Sequence, residues 1–246
     1  MSEAAQVAAQ KTIYCPELAP FEKIYRDIHR NPELSLQEVH TATLVVEFLE
    51  SLGGYQVIKE IGGHGVVEIL NKRIGSYSSS SRRYGCFASF GEHKFRMHTA
   101  VLLADAKMLL DAKSEWSGTL IVLFQPAEEL AVGARATIED GLYDPSKFAV
   151  TKPDIVLGLK THAFKAGMIA LGGADPFGAS EYFSYLALGC DAPYVFYNFG
   201  YVDEDTWEEA KTKGTMEDIP HNHSAIFAPK IQPTTTITVI PAHLRV

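Results

Sequence analysis

The N-terminal quarter of the chain spaces its apolar residues as two amphipathic helices do. Apolar residues recur at i, i+3, i+4 and i+7 over residues 21–28, which predicts a helix that ends before Pro32. Ser35, followed three residues later by Glu38, has the form of a capping box, so a second helix should begin there. Gly53 should end this second helix. Its predicted buried stripe is Val39, Ala42, Val46 and Leu49.

The pattern then changes to short apolar runs of the kind found in strands. Residues 55–58 and 66–70 are such runs, and the glycine-rich turn IGGHG separates them, which favours a hairpin or an adjacent strand pair. Residues 71–96 read NKRIGSYSSSSRRYGCFASFGEHKFR and show no sustained period. Because four serines stand together there, we predict an irregular serine-rich segment.

Helices and strands alternate along the middle of the chain. Helical spacing over residues 98–113 is followed by an apolar strand at 119–124, a helix that ends at Asp140 and a strand at 154–159. Such alternation predicts an α/β layered sheet. We expect one catalytic-type domain over residues 1–246.

Composition excludes several classes of partner. The chain has 246 residues, of which 46% are hydrophobic, enough for one sizeable core. Its net charge of −8, and the lack of windows that mix basic and aromatic residues, disfavour nucleic acid as a partner. No basic and apolar leader and no run of eighteen apolar residues occurs, so we expect no membrane association. The three cysteines are far apart and odd in number, which fits a cytoplasmic protein.

Two adjacent acidic residues, Glu128 and Glu129, follow the apolar strand in the stretch TLIVLFQPAEELAVGARATIEDG. The ordinary interpretation is that carboxylates near the start of a helix complement its dipole. The functional interpretation starts from the carboxyl ends of strands, where α/β sheets gather their ligands. Neighbouring residues there point in different directions, so one carboxylate could bind a metal while the other reaches the water on that metal. The pair alone does not decide between them.

Five blocks in order carry a family resemblance: IHRNPELSLQE, IGGHGVVEIL, MHTAVLLADAKMLL, VLFQPAEE with GARATIEDGL, and PHNHSAIFAP. Together they resemble the aminoacylase and hippurate-hydrolase type of metallopeptidases and amidohydrolases, over most of residues 21–229. The resemblance implies a zinc-peptidase-like three-layer sandwich with a mixed, mainly parallel sheet. It also implies a two-metal centre, of zinc or manganese, that hydrolyses the amide bond of N-acyl amino acids or small peptides.

The resemblance also assigns roles to single residues. Glu128 matches the general base, Glu129 a metal ligand, and His223 the late ligand histidine. Lys160 stands where the family has another ligand histidine, and a protonated lysine cannot bind a metal ion. His162, two residues later, is a candidate replacement if the loop that carries it shifts its register.

Other parts of the family pattern are missing from this sequence. The Cys-Gly-His-Asp run that should precede His98 is absent, and Cys86 and His93 fall at the wrong spacing to match its ligands. His93 is either a surface histidine or a substitute ligand. The serine-rich segment replaces the strand with the bridging aspartate, and the inserted lid and dimerisation domain is absent near residues 173–180. We therefore expect an incomplete domain that is a monomer and holds at most one metal ion.

Three functions remain open at the level of sequence. The first is an impaired metal-dependent amidohydrolase or peptidase with Glu128, Glu129, His223 and His162 in its site. The second is a non-catalytic remnant, or a misassembled gene product, that acts as a binding or interaction protein. The third is a module that binds small molecules in the old acyl pocket without hydrolysis. Metal stoichiometry separates the first function from the second.

Overall fold

A computed structural model describes residues 17–72, 83–89, 96–114, 116, 118–172, 189 and 192–220. The helices within these ranges are α1 (Ala19–Arg30), α2 (Val39–Leu52), α3 (Arg96–Asp111), α4 (Gly133–Glu139) and α5 (Glu204–Lys213). The strands are β1 (Gln56–Ile61), β2 (Gly65–Lys72), β3 (Arg83–Ser89), β4 (Gly118–Gln125), β5 (Ile155–Lys165), β6 (Ile169–Gly172) and β7 (Tyr194–Val202). None of the described helices is long and apolar enough to cross a membrane.

The seven strands within the described residues form one sheet in the order β1-β2-β4-β3-β5-β7-β6. The pairs β4-β3, β3-β5 and β5-β7 are parallel, whereas β1-β2, β2-β4 and β7-β6 are antiparallel. The predicted mixed sheet is confirmed, but the prediction that it is mainly parallel is not. One physical reason lies in the β1-β2 connection, where Gly62 and Gly63 adopt positive φ and reverse the chain within three residues. So short a connection can reach only an antiparallel partner.

Helices cover both faces of the sheet. Helices α1, α2, α3 and α5 pack on one face and form the first hydrophobic core with it. Helix α4 and the segment that follows it pack on the other face and form the second core. Strand β4 shows why its sequence is apolar throughout, since Leu120, Val122 and Phe124 belong to the first core and Ile121 and Leu123 to the second. A strand that is buried on both faces reads as a continuous apolar run rather than an alternating one.

The start of α2 differs from its prediction. The helix begins at Val39 rather than at Ser35, and Leu36 has a left-handed backbone with φ 68° that no helix can contain. The carboxylate of Glu33 caps the helix by accepting the backbone N–H groups of His40 and Thr41 at 2.7 and 2.8 Å. The predicted capping box was therefore wrong, because another carboxylate satisfies the first amides of the helix. The end of α2 at Gly53 is confirmed.

Strand β3 corrects the prediction that residues 71–96 are irregular. It occupies Arg83–Ser89 and pairs in parallel with β4 on one side and β5 on the other. Its backbone groups are thus bonded along both edges, which stabilises a strand whose own sequence has little apolar pattern. Residues 73–82 and 90–95, and the expected join at 173–180, lie outside the described residues.

The other predicted elements are confirmed with shifted bounds. Helix α1 buries the predicted stripe of Phe21, Ile24, Tyr25 and Ile28 against the first core. Strands β1 and β2 form the predicted antiparallel pair, and α3, β4 and β5 occupy the expected positions. The helix predicted to end at Asp140 is shorter than expected, since α4 covers Gly133–Glu139 and follows a separate 3-10 turn.

Candidate active site

The acidic pair lies in a tight turn at the carboxyl end of β4. After β4 ends at Gln125, Glu128, Glu129 and Leu130 form a single 3-10 turn. A left-handed residue bounds it on each side, Ala127 with φ 47° and Ala131 with φ 61°. This conformation costs a residue with a Cβ about 1–2 kcal/mol, so the surrounding contacts must hold the turn.

Pro126 and Gly133 explain why the chain turns here. Pro126 has no N–H group, so it cannot extend the hydrogen bonding of β4. Gly133 begins α4 directly against this proline, and a Cβ atom at position 133 would lie 1.5 Å from the carbonyl oxygen of Pro126. Only glycine therefore allows the helix to start so close to the end of the strand.

The two glutamates differ in their surroundings. Successive residues of a 3-10 turn are rotated by about 120°, so Glu128 and Glu129 leave the backbone in different directions. Glu128 is buried with 6% of its surface exposed, whereas Glu129 is half-buried and Leu130 is exposed. The turn thus presents one enclosed carboxylate beside a more accessible one.

Glu38, which is 89 positions away in the sequence, contacts this turn. One oxygen of its carboxylate, Oε1, accepts a hydrogen bond of 2.7 Å from the backbone N–H of Ala127. Glu38 is 1% exposed and stands immediately before α2. Sequence reasoning assigned it to a capping box and missed this contact. The available signal was its place in IHRNPELSLQE, the first of the blocks shared with the family.

His162 lies at the same end of the parallel strands as the acidic pair, the carboxyl end, which we call the carboxyl edge of the sheet. Phe87 of β3 pairs with Leu123 of β4 and with Gly158 of β5, so those two residues are level across the sheet. Glu128 comes five residues after Leu123, and His162 comes four residues after Gly158. One strand separates β4 from β5, which places the two strands about 10 Å apart.

The predicted loop around His162 is a strand instead. The backbone of His162 pairs with Gly200 of β7, and the register shifts between His162 and Lys165. A bulge of this kind interrupts the ladder and is common next to active sites. Lys160 lies on β5 two residues before His162, in the position where the resemblance places the family's histidine. Its backbone pairs with Asn198 of β7.

His223 lies outside the described residues, but the chain that leads to it is anchored. Tyr201 of β7 is buried, and its hydroxyl donates a hydrogen bond to the backbone carbonyl of Pro220. Burial raises the pKa of Tyr201 to about 12, so its hydroxyl keeps this proton at neutral pH. Ile219, beside Pro220, is buried in the first core. The bond therefore fixes the backbone three residues before His223.

Three further positions were compared with the family pattern: His98, Cys86 and His93. His98, which the resemblance matches to a histidine that binds no metal, is buried in the first turn of α3. Cys86 belongs to the centre of β3, and His93 lies outside the described residues. Across the described ranges, no group of three or more histidine, cysteine, aspartate or glutamate side chains forms a metal cluster. Glu129 is the predicted ligand whose side chain the structure describes, and the ligand roles of His162 and His223 remain predictions.

Two more buried carboxylates belong to the core rather than to this edge. Glu68 of β2 is fully buried, and Asp105 of α3 is 2% exposed. Burial raises the pKa of each carboxyl group well above its ordinary value. Neither carboxylate has a hydrogen-bond partner in the described structure. Glu68 pairs in the middle of β2 with Val122 of β4, several residues from the turn that carries the acidic pair.

Comparison with known proteins identifies the relatives of the chain. No family model matches it. It is 38% identical to hippurate hydrolase of Campylobacter jejuni over 143 residues, which cover 50% of this chain and 36% of that protein. It is 34% identical to N-acetylcysteine deacetylase of Bacillus subtilis over 154 residues, which cover 54% of this chain and 40% of that protein. The chain thus spans less than half the length of these curated relatives.

A solved structure supports the fold independently. The YXEP protein of Bacillus subtilis, described as a dinuclear metal binding peptidase from the M20 family, matches with a TM-score of 0.53 and 23% identity. The match covers 64% of this chain and 46% of that one. The blocks around the acidic pair, the sequence relatives and the fold agree with one another. Over about half of its length, the chain is therefore similar to the aminoacylase and hippurate-hydrolase type of metallopeptidases and amidohydrolases.

Proposed function

We propose that the chain is a metal-dependent amidohydrolase that cleaves the amide bond of N-acyl amino acids or small peptides, with reduced activity. The observation that carries this proposal is the turn after β4, which holds buried Glu128 beside Glu129 at the carboxyl edge of the sheet. The relatives support the choice of substrate, since their names describe hydrolysis of hippurate and deacetylation of N-acetylcysteine.

Glu128 is the proposed general base. A buried carboxylate in this position would take a proton from the attacking water and later give it to the leaving nitrogen. Such proton transfer typically contributes about 10²–10⁴-fold to the rate. The hydrogen bond from the Ala127 N–H to Glu38 supports this role, because a general base must be held within hydrogen-bond reach of its proton.

Glu129, His162 and His223 are the proposed ligands of one zinc or manganese ion. One carboxylate and two imidazoles are donors that both metals accept, and catalytic zinc commonly has three protein ligands and a water. A bound ion would lower the pKa of its water and polarise the scissile carbonyl. Reduced activity follows from the Cys-Gly-His-Asp run that the sequence lacks, because a second ion would have too few ligands.

The wider setting of the protein is also proposed. The negative net charge supports a small-molecule substrate rather than a nucleic acid. The proposal includes no membrane partner. The cysteine usage supports a cytoplasmic location. The lid and dimerisation domain expected in the family has no counterpart in the sequence, which supports a monomer.

Turnover by the metal-loaded protein tests the proposed function. The protein is loaded with Zn²⁺ or Mn²⁺ and given N-acetyl and N-benzoyl amino acids, and release of the free amino acid is measured. Glu128→Gln should lower turnover by at least about a hundredfold, since it keeps the size of the side chain and removes the base. The matched control is Glu139→Gln on the exposed face of α4, which should leave turnover unchanged. Equal turnover by Glu128→Gln and the parent would remove Glu128 from the mechanism. No turnover by the parent with either metal would favour the non-catalytic interpretation.

A further inference from the structure

We infer that Glu38 is a positioning residue for the acidic pair: its carboxylate holds the left-handed backbone of Ala127 and thereby sets the directions of Glu128 and Glu129. The inference rests on the proposed function, because it concerns how those two side chains are aimed. Nothing in the family resemblance assigned Glu38 a role at the site. Its support comes from contacts at two segments that are far apart in the sequence, the start of α2 and the turn after β4.

The first observation is the contact itself. Glu38 Oε1 accepts the Ala127 N–H at 2.7 Å, and both groups are buried. A carboxylate that accepts from an N–H group makes a stronger bond than a neutral acceptor does, and burial shields the bond from water. The other oxygen, Oε2, has no hydrogen-bond partner in the described structure. The Ala127 amide is therefore the contact that accounts for burying this carboxylate.

The second observation is that the side chain of Glu38 does not cap its own helix. Glu33 caps α2 through the amides of His40 and Thr41, so the helix needs no cap from Glu38. Glu38 makes no side-chain cap bond to its own helix. The two glutamates of this segment therefore do separate work. Glu33 fixes the start of α2, and Glu38 reaches across to the turn after β4.

The third observation is the conformation that Glu38 holds. Ala127 is left-handed although it carries a Cβ atom, and it directly precedes Glu128. Without the bond to Glu38, Ala127 can relax toward an ordinary backbone conformation, which would rotate every residue that follows it. A misplacement of about 1 Å at a catalytic group can lower the rate roughly a hundredfold. The contact is thus placed where it controls the geometry of the pair.

Three variants separate positioning from general stability. Glu38→Ala removes the acceptor and should lower kcat about ten- to a hundredfold, with KM changed less than threefold. Glu38→Gln keeps an amide oxygen that can accept the same N–H, so it should retain most of kcat. Adding Ala127→Gly to Glu38→Ala should restore part of kcat, because glycine adopts positive φ without a steric cost.

Asp154→Ala is the matched control. Asp154 also accepts a backbone N–H, that of Arg83 at 2.7 Å, at the amino ends of the parallel strands, and its exposed carboxylate pairs with the Arg83 guanidinium as well. This variant should lower stability without changing kcat. An equal fall of kcat in Asp154→Ala and Glu38→Ala would overturn the inference, as would a Glu38→Ala protein with the kcat of the parent.

Two readouts do not depend on turnover. Zinc titration by calorimetry should show weaker binding in Glu38→Ala than in Glu38→Gln, because Glu129 moves with the turn. Hydrogen exchange of the peptide that covers residues 125–131, measured without metal or substrate, should be at least about tenfold faster in Glu38→Ala and normal in Glu38→Gln. Unchanged exchange in Glu38→Ala overturns the positioning role. Inactivity of the parent with the expected exchange pattern counts against the proposed function alone.

Discussion

The hydroxyl of Tyr201 donates a hydrogen bond to the carbonyl of Pro220 and so ties the end of β7 to the chain that leads to His223. If His223 is a metal ligand, this bond helps to aim it. Tyr201→Phe should weaken zinc binding several-fold and destabilise the protein by about 1 kcal/mol, the typical net contribution of one hydrogen bond. Zinc titration and chemical unfolding measure the two effects.

A second tyrosine provides the control for this prediction. Tyr55 donates to the carbonyl of Ala106 at 2.7 Å, which is the same kind of bond in a different part of the structure. Tyr55→Phe should therefore cost a similar amount of stability and leave zinc affinity unchanged. If both variants weaken zinc binding equally, Tyr201 has no special relation to the metal.

Replacing Gly133 by alanine, which adds one methyl group, should cause a large loss of stability. Because a Cβ there would collide with the backbone of Pro126, Gly133→Ala must displace either α4 or the turn that carries the acidic pair. We expect a loss of about 1–3 kcal/mol, typical of overpacking, with a loss of turnover. Gly214→Ala is the comparison, since Gly214 has φ 68° and open space around its Cβ position. That variant should lose about 1 kcal/mol from backbone strain alone and keep its turnover. Equal losses of stability would mean that the collision is relieved at little cost.

Stability should fall as pH rises, because of Glu68 and Asp105. Burial raises the pKa of both carboxyl groups in the folded protein, so the folded state binds more protons than the unfolded state above their ordinary pKa values. The stability is therefore fully present below the unfolded pKa values and is lost as pH rises through the folded ones. Each group contributes a slope of at most about 1.4 kcal/mol per pH unit.

Chemical unfolding between pH 5 and pH 9 measures this dependence. The double variant Glu68→Gln with Asp105→Asn keeps the size of both side chains and should flatten the curve. It should also raise stability at pH 9, because the amides do not ionise and so remove the free energy that the unfolded state of the parent gains when Glu68 and Asp105 lose their protons. A curve for the double variant parallel to that of the parent would show that other groups set the pH dependence.

Local sequence patterns were sufficient to predict those helices and strands whose conformation depends on residues nearby in the sequence. The apolar stripe of α1 and the continuous apolar run of β4 each record which faces are buried, and the structure confirms both. Strand β3 could not be predicted in the same way. It lies between β4 and β5, and its stability comes from partners that are distant in the sequence.

In the candidate site, too, the local features could be predicted from the sequence and the long-range contacts could not. The place of Glu128 and Glu129 at the end of a buried strand followed from sequence, because strand ends and their acidic residues are local features. The contact between Glu38 and Ala127 joins residues 89 positions apart, and a local rule gave Glu38 a helix-capping role instead. Glu33 had already satisfied the amides of that helix. Long-range contacts of this kind are visible only in the folded chain.

The ratio of bound metal to protein, measured with turnover on the same sample, tests the central claim most directly. The protein is purified without chelator and analysed for metal content, and its hydrolysis of N-acyl amino acids is then recorded. We predict at most one weakly held ion per chain, with slow hydrolysis that is lost in Glu128→Gln, because the three proposed ligands Glu129, His162 and His223 would be enough for one ion only. Two tightly held ions per chain with fast hydrolysis would contradict this account, since His93 or Cys86 would then have completed a second metal site.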